Sequence, residues 1–179
     1  MNIWFISDTH FSHQNMWEKF KLADGSPSRP FTSNEEMDEL MIKNWNDRVK
    51  TSDHIYHLGD VTMARGKQTN YIDAIIRRLN GHKRICLGNH DQLVSGWYYQ
   101  WFEKVKAINV LDNILFTHIP IHPQNLGKFK ACVHGHTHHH DVMLSPHHPD
   151  PRYLNVCVEK TNYAPVSLEE VKSLIAARS

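Results

Sequence analysis

The sequence is short of the features that mark specialised classes of protein. Only three cysteines occur, Cys86, Cys132 and Cys157, far apart and without a CxxC pair. That excludes a disulfide framework and a thiolate metal site, and points to a reducing compartment. No apolar run approaches the ~18 residues that a membrane span requires. The opening MNIWFIS has no basic segment and too short an apolar stretch for a secretion signal, so the expected location is the cytoplasm. An excess of one charge is missing as well. Twenty Lys and Arg stand against 19 Asp and Glu, a net charge of +1, which gives no electrostatic basis for capturing nucleic acid or an anionic membrane. Repeats, low-complexity tracts and an evident linker are lacking, so residues 1–179 are read as one domain, long enough to bury its own core. Histidine, by contrast, is abundant at 15 residues, and that excess needs a reason.

Short apolar runs at Ile3–Ser7, His54–Leu58, Arg84–Leu87, Asn113–Thr117, Lys130–Val133 and Tyr153–Val158 read as strands from their length and β-branched content. Helical patterns lie between them. Ser33-x-x-Glu36 is a capping box before Met37, Leu40, Met41, Trp45 and Val49. Tyr71, Ile72, Ile75, Ile76 and Leu79 repeat the spacing, and Ser167-x-x-Glu170 opens a last helix with Val171, Leu174 and Ile175. Alternating strands and helices predict an α/β layered fold. Asp24–Pro30 and Ser145–Arg152 read as loops.

The residues that follow the runs carry the chemistry. Asp8-Thr9-His10 follows the first, Gly59-Asp60 the second and Gly88-Asn89-His90-Asp91 the third; then come His118, and His134-Gly135-His136-Thr137-His138. Five strands thus deliver Asp, Asn or His at their C-terminal ends, the edge where ligands bind in open α/β sheets. Asp8/His10 and His136/His138 are i, i+2 pairs, whose side chains share a side in extended backbone. Glycines 59, 88 and 135 permit sharp turns or a close approach to an ion. Imidazoles mixed with carboxylate and amide oxygens suit manganese, iron or zinc; calcium and magnesium sites do not use this much histidine. Asp8, His10, Asp60, Asn89, His118, His136 and His138 are too many ligands for one tetrahedral ion and about right for two. Two metals ~3.5–4 Å apart are the usual apparatus for phosphate-ester hydrolysis.

The ordered set D-x-H, G-D, G-N-H-D, a lone H and G-H-x-H resembles the calcineurin-like metallophosphoesterase superfamily. The opening SDTHFSH and the stretch RPF…EEMDELMIKNWN…HLGD are similar to its small single-domain bacterial and phage-type members. The resemblance implies a four-layer α/β/β/α sandwich. It implies two divalent ions, manganese first with iron, zinc or nickel as alternatives. Asp8, His10 and His138 would hold one, Asn89, His118 and His136 the other, and Asp60 would bridge them. A hydroxide between the ions would attack phosphorus while His90 protonates the leaving group. The protein Ser/Thr phosphatases of the superfamily carry a second aspartate and an arginine shortly after G-D. Here Gly59-Asp60-Val61-Thr62-Met63-Ala64-Arg65-Gly66 lacks that aspartate, which leaves the orienting partner of His90 unassigned and speaks against phosphoprotein substrates.

Other residues divide between sharp and plain readings. His13 is a substrate contact or a structural neighbour of the ligands, and Arg65 and Lys67 meet a phosphate or are surface charge. Asp91 supports His90 or, in preference, caps the turn. His134 is expected buried and hydrogen-bonded; His139, His140, His147 and His148 solvated; His54, His57, His82 and His122 structural. The cluster Trp97, Tyr98, Tyr99, Trp101 and Phe102 is core rather than a base-stacking platform, and Lys19–Arg29 is a flap over substrate or a connection. The expected activity is hydrolysis of a phosphodiester or phosphomonoester of a small, nucleotide-like molecule. A nuclease on longer nucleic acid is the alternative, and a metal-stabilised interaction scaffold ranks below it. A homo-oligomer is left open.

Overall fold

The computed structural model describes residues 1–93 and 95–178. Its elements are β1 (Ile3–Ile6), α1 (Asn15–Glu18), α2 (Asn34–Arg48), β2 (His54–His57), α3 (Thr69–Arg78), β3 (His82–Cys86), α4 (Ser95–Trp101), β4 (Lys104–Lys106), β5 (Ile108–Leu111), β6 (Ile114–Thr117), α5 (Pro123–Leu126), β7 (Ala131–His134), β8 (Met143–Ser145), β9 (His148–Pro149), β10 (Tyr153–Asn155), β11 (Val166–Ser167) and α6 (Leu168–Ala176). One sheet has the order β11-β1-β2-β3-β4 and the other β10-β7-β6-β5; β8 and β9 form a small hairpin. Neighbours are parallel except β11 on β1 and β5 on β6. Ile6 pairs with His57 and His57 with Ile85, so β1, β2 and β3 end level and send their following loops to one edge.

The strands read as unbroken apolar runs because both of their faces are buried. Trp4, Ile6, Ile55 and Ile85 pack under Met37, Met41, Trp45, Ile72 and Ile76 of α2 and α3. The alternate residues Phe5, Tyr56 and Cys86 face Phe116, Val133 and Leu154 of the second sheet, with the Phe5 and Phe116 rings stacked at 4.1 Å. The outer face of the second sheet holds Leu115, Cys132 and Tyr153 against Leu126. The expected layers are therefore present, but the fourth is thin, since its helix is the single turn α5. The last helix, α6, instead puts Val171 into the core between the sheets, beside β1 and β10.

The caps differ in detail. Ser167 and Glu170 form both arms of their box, at 3.1 and 2.7 Å. Ser33 Oγ accepts from Glu36 N, but the Glu36 carboxylate reaches one residue further, to Thr32 N at 2.8 Å. Tyr71 leaves the apolar stripe of α3 and bonds Asp38 instead, and Leu174 is exposed. The loop expected at Ser145–Arg152 contains half of the β8–β9 hairpin. Trp97, Tyr98 and Phe102 are core, and the indoles of Trp97 and Trp101 both donate to Asp73 Oδ1. Tyr99 faces solvent. No helix among the described residues is long and apolar enough to cross a membrane.

Candidate metal centre

The loops after β1, β2, β3, β6 and β7 meet at the common edge, where main-chain bonds join the first loop to the second and the last two to each other. Asp8 N donates to Gly59 O at 3.0 Å, His10 N to Asp60 O at 3.1 Å, and Gly135 N to His118 O at 2.9 Å. The i, i+2 pairs are not extended, as their spacing suggested. Asp8, His10, Asp60, His136 and His138 all have positive φ, between 46° and 68°. Non-glycine residues held there cost of order 1–3 kcal/mol each, and the loop-to-loop bonds keep them in place. The left-handed turns, rather than strand alternation, aim both members of each pair inward.

Each of the two buried carboxylates commits one oxygen to the protein and leaves the other facing the site. Asp8 Oδ2 accepts from His136 N at 2.8 Å and from the Cys157 thiol at 3.2 Å, while its Oδ1 is buried without a partner. Asp60 Oδ1 accepts from His90 N at 2.8 Å, and its Oδ2 lies 3.6 Å from His10 Nε2 and 3.4 Å from His118 Nε2. The glycines make room for these carboxylates. A Cβ on Gly88 would stand 2.2 Å from Asp60 Oδ1, and one on Gly135 2.3 Å from Asp8 Oδ2 and 2.0 Å from Ser7 Oγ. Gly135→Ala is therefore expected to displace Asp8 and weaken metal binding at least about tenfold. Equilibrium dialysis against manganese followed by metal analysis tests this, and wild-type affinity in the variant would contradict it.

The imidazoles are prepared as lone-pair donors. His118 Nδ1 donates to Leu58 O at 2.8 Å and His138 Nδ1 to Glu159 Oε1 at 2.9 Å, which leaves each Nε2 toward the site. Burial would lower the His118 and His138 pKa values, but hydrogen bonds to Asp60 and Glu159 and the nearby carboxylates raise both above the ordinary range. The site around them favours positive charge. His10 is buried, with neither ring nitrogen partnered. Desolvation, then Arg29 and the adjacent imidazoles, hold it well below the usual range and therefore neutral.

Ligand atoms of Asp8, His10 and His138 lie within 4.8 Å of one another, and so do those of Asp60, His118 and His136. Asn89 Oδ1 is 2.9 Å from His118 Nε2. Orphaned Asp8 Oδ1 and His10, tautomers fixed from behind, and a mixed N/O donor set without thiolate fit two divalent cations of the manganese, iron or zinc kind.

Two residues that brace this arrangement escaped the sequence reading. Arg29 is fully buried. Its guanidinium donates to Glu159 Oε1 at 2.8 Å and to the carbonyls of Thr9 and Asp8 at 2.7 and 2.6 Å. Burial would raise the Glu159 carboxyl, but Arg29 and His138 hold it at about 2. Glu159 had one available signal: it follows the sixth apolar run as the ligands follow the others. Arg29 had none beyond its place in RPF, within a stretch rich in turn formers. Asp91 caps the turn, accepting from Gly88 N, and also takes Asp60 N and Val61 N at 2.8 and 3.0 Å, fastening two ligand loops together. His57 is a structural spacer. Burial pushes its pKa down to about 3, and Nδ1 accepts from Gly59 N while Nε2 meets Thr9 Oγ1.

The remaining singled-out residues lie as follows. His90 is half-buried in the wall of a cleft of about 650 Å³ beside the ligands. Its ring is 5.7 Å from that of His10, and no described side chain orients it by a hydrogen bond. His13 lines the same cleft. Arg65 is exposed, donates to Gln92 Oε1 at 2.7 Å and does not line the cleft; Lys67 is exposed. His134 is buried, its Nδ1 bonded to Gly135 O and its Nε2 unpartnered. His139 tethers Ser28 through Nε2, whereas His140, His147 and His148 are exposed.

Comparison with known proteins matches the chain to a family model described as calcineurin-like phosphoesterase, over residues 1–170. It is 34% identical over 175 residues to the uncharacterized protein MJ1445 of Methanocaldococcus jannaschii, covering 97% of this chain and 90% of that one. It is 26% identical over 205 residues to the Gene 66 protein of Mycobacterium phage L5, covering 97% and 94%. A solved protein of unknown function, AQ665 of Aquifex aeolicus, superposes with a TM-score of 0.69 at 24% identity over 97% of this chain and 98% of its own, a likeness of fold.

Proposed function

This chain belongs to the calcineurin-like phosphoesterase family of metal-dependent phosphoester hydrolases, and from that premise we propose that it hydrolyses a small phosphodiester or phosphomonoester, nucleotide-like in size, at a dinuclear centre. One observation carries the reading: Asp60 Oδ2 faces His10 of one ligand group and His118 of the other, at 3.6 and 3.4 Å. A carboxylate oxygen shared in this way suits two ions that flank an in-line displacement at phosphorus. Asp8, His10 and His138 would hold one ion and Asn89, His118 and His136 the other. Divalent ions there, manganese first, supply charge neutralisation at the phosphoryl oxygens and a lowered pKa for water. His90 stands in the cleft wall with its main chain tied to Asp60, and takes the role of proton donor to the departing oxygen. His13 contacts the substrate from the same wall, while Arg65, bonded to Gln92 and outside the cleft lining, is the weaker candidate. The three free, buried cysteines suit a reducing cytoplasm.

His90→Ala is expected to keep both metal ions and to slow turnover by about 10²–10⁴-fold. The assay is manganese-dependent hydrolysis of bis-p-nitrophenyl phosphate and p-nitrophenyl phosphate, with metal content measured in parallel. A variant as fast as wild type would remove His90 from the mechanism. Two ions bound without turnover of either ester in the wild type would favour the scaffold. Affinity for long DNA that collapses with salt would favour the nuclease.

A further inference from the structure

We infer that the cleft selects phosphodiesters bearing a flat, weakly polar ester group, and that Phe20 is the surface receiving it; this rests on the phosphoesterase reading above. The lining of the 650 Å³ cleft divides by chemistry. Uncharged polar residues and further imidazoles complete a lining in which His10, His136 and His138 form one part, and Met16, Phe20 and Met63 an apolar part. Rings mark the path between them: His13 lies 5.6 Å from His10 and 6.1 Å, edge to face, from Phe20. No lysine or arginine is among the described residues that line the cleft. Beyond the metal centre and the imidazoles of His13, His90 and His140, it therefore offers no permanent cation for a second phosphate or the extra charge of a terminal phosphoryl group. A diester carries a single charge and brings a second organic group, which the apolar wall can cover.

Phe20 is not a stray surface side chain. It is 48% exposed, yet its main chain is held on both sides, with N donating to Asn15 O at 3.0 Å and O accepting from Ser28 N at 2.8 Å. Ser28 is fastened in turn by His139, and the adjoining Arg29 is locked to Glu159. A large aromatic face thus stays uncovered at a fixed place in a concave site, where a planar group would stack on it. Next to it His13 Nδ1 is buried without a partner, and suits a heteroatom of that same group. The group can be an aryl ring or a nucleobase.

The test is calorimetric binding to the manganese-loaded protein. Wild type should bind diphenyl phosphate about tenfold or more tightly than dimethyl phosphate. Phe20→Ala should erase that difference while leaving dimethyl phosphate unchanged, and Phe20→Tyr should keep it. Dithymidine monophosphate bound tighter than diphenyl phosphate assigns the wall to a nucleobase; the reverse order assigns it to an aryl group. Equal affinity for the two small diesters in wild type overturns the inference. So does an equal loss of both in Phe20→Ala, which would make the ring only a brace for its loop. Failure of every ester to bind or react with two ions in place would instead sink the phosphoesterase reading itself.

Discussion

Asp60→Ala is expected to bind neither ion tightly and to lose hydrolysis by about a thousandfold or more. Asp60 stands between the two ligand groups. Its Oδ2 is the atom near both His10 and His118, and its Oδ1 holds His90 through the main chain. On the proposed reading, removing it takes away a carboxylate shared by both ions and frees the loop that carries His90. His138→Ala, by contrast, touches one group only and should leave about one ion per chain. The pair of variants separates a shared ligand from an ordinary one, by metal analysis after dialysis rather than by rate alone. Two ions at wild-type affinity in Asp60→Ala would sink the dinuclear reading.

Arg29→Met should unfold the metal-stripped protein more easily by about 3–5 kcal/mol, because it leaves the buried Glu159 carboxylate with His138 alone to compensate its charge. For a chain of this size that corresponds to a fall of about 6–20 °C in Tm. The pH dependence should also weaken. In wild type Glu159 is held below its unfolded value, at about 2. Its contribution is present above the ordinary carboxylate range and is lost as pH falls toward 2. Without Arg29 only His138 offsets burial, so the carboxyl rises from about 2 and the variant should lose less stability than wild type on acidification through about pH 5 and 4. Replacing Glu159 by methionine as well should recover part of the loss. Melting curves of the three proteins across that range decide the matter, and additive losses in the double variant would contradict the coupling.

The sequence was legible wherever one residue's role depends on its neighbours along the chain. The strands carrying the ligands were visible as apolar runs because both their faces are buried, as Phe5 and Ile6 illustrate. The edge elements β4, β5, β8, β9 and β11 were not. They are two to four residues long and half-exposed or, in β8 and β9, fully exposed, so they carry no run to read. The ligand residues stood out as Asp, Asn and His at strand ends. Their left-handed backbone did not, since that conformation comes from bonds between loops distant in sequence, such as His10 N to Asp60 O. Arg29 was hidden for the same reason: its partners Glu159, Asp8 and Thr9 are neighbours only once the chain has folded.

The ligands are drawn from β1 and β2 of one sheet, from β3 beside them, and from β6 and β7 of the other. Neither sheet alone holds a complete set, and His138 with its anchor Glu159 lies in the last quarter of the chain. A chain still being synthesised therefore exposes many histidines but offers no finished metal site until nearly all of it has emerged and the two sheets have docked. A complete ligand set is thus a property of the whole fold rather than of any part of it.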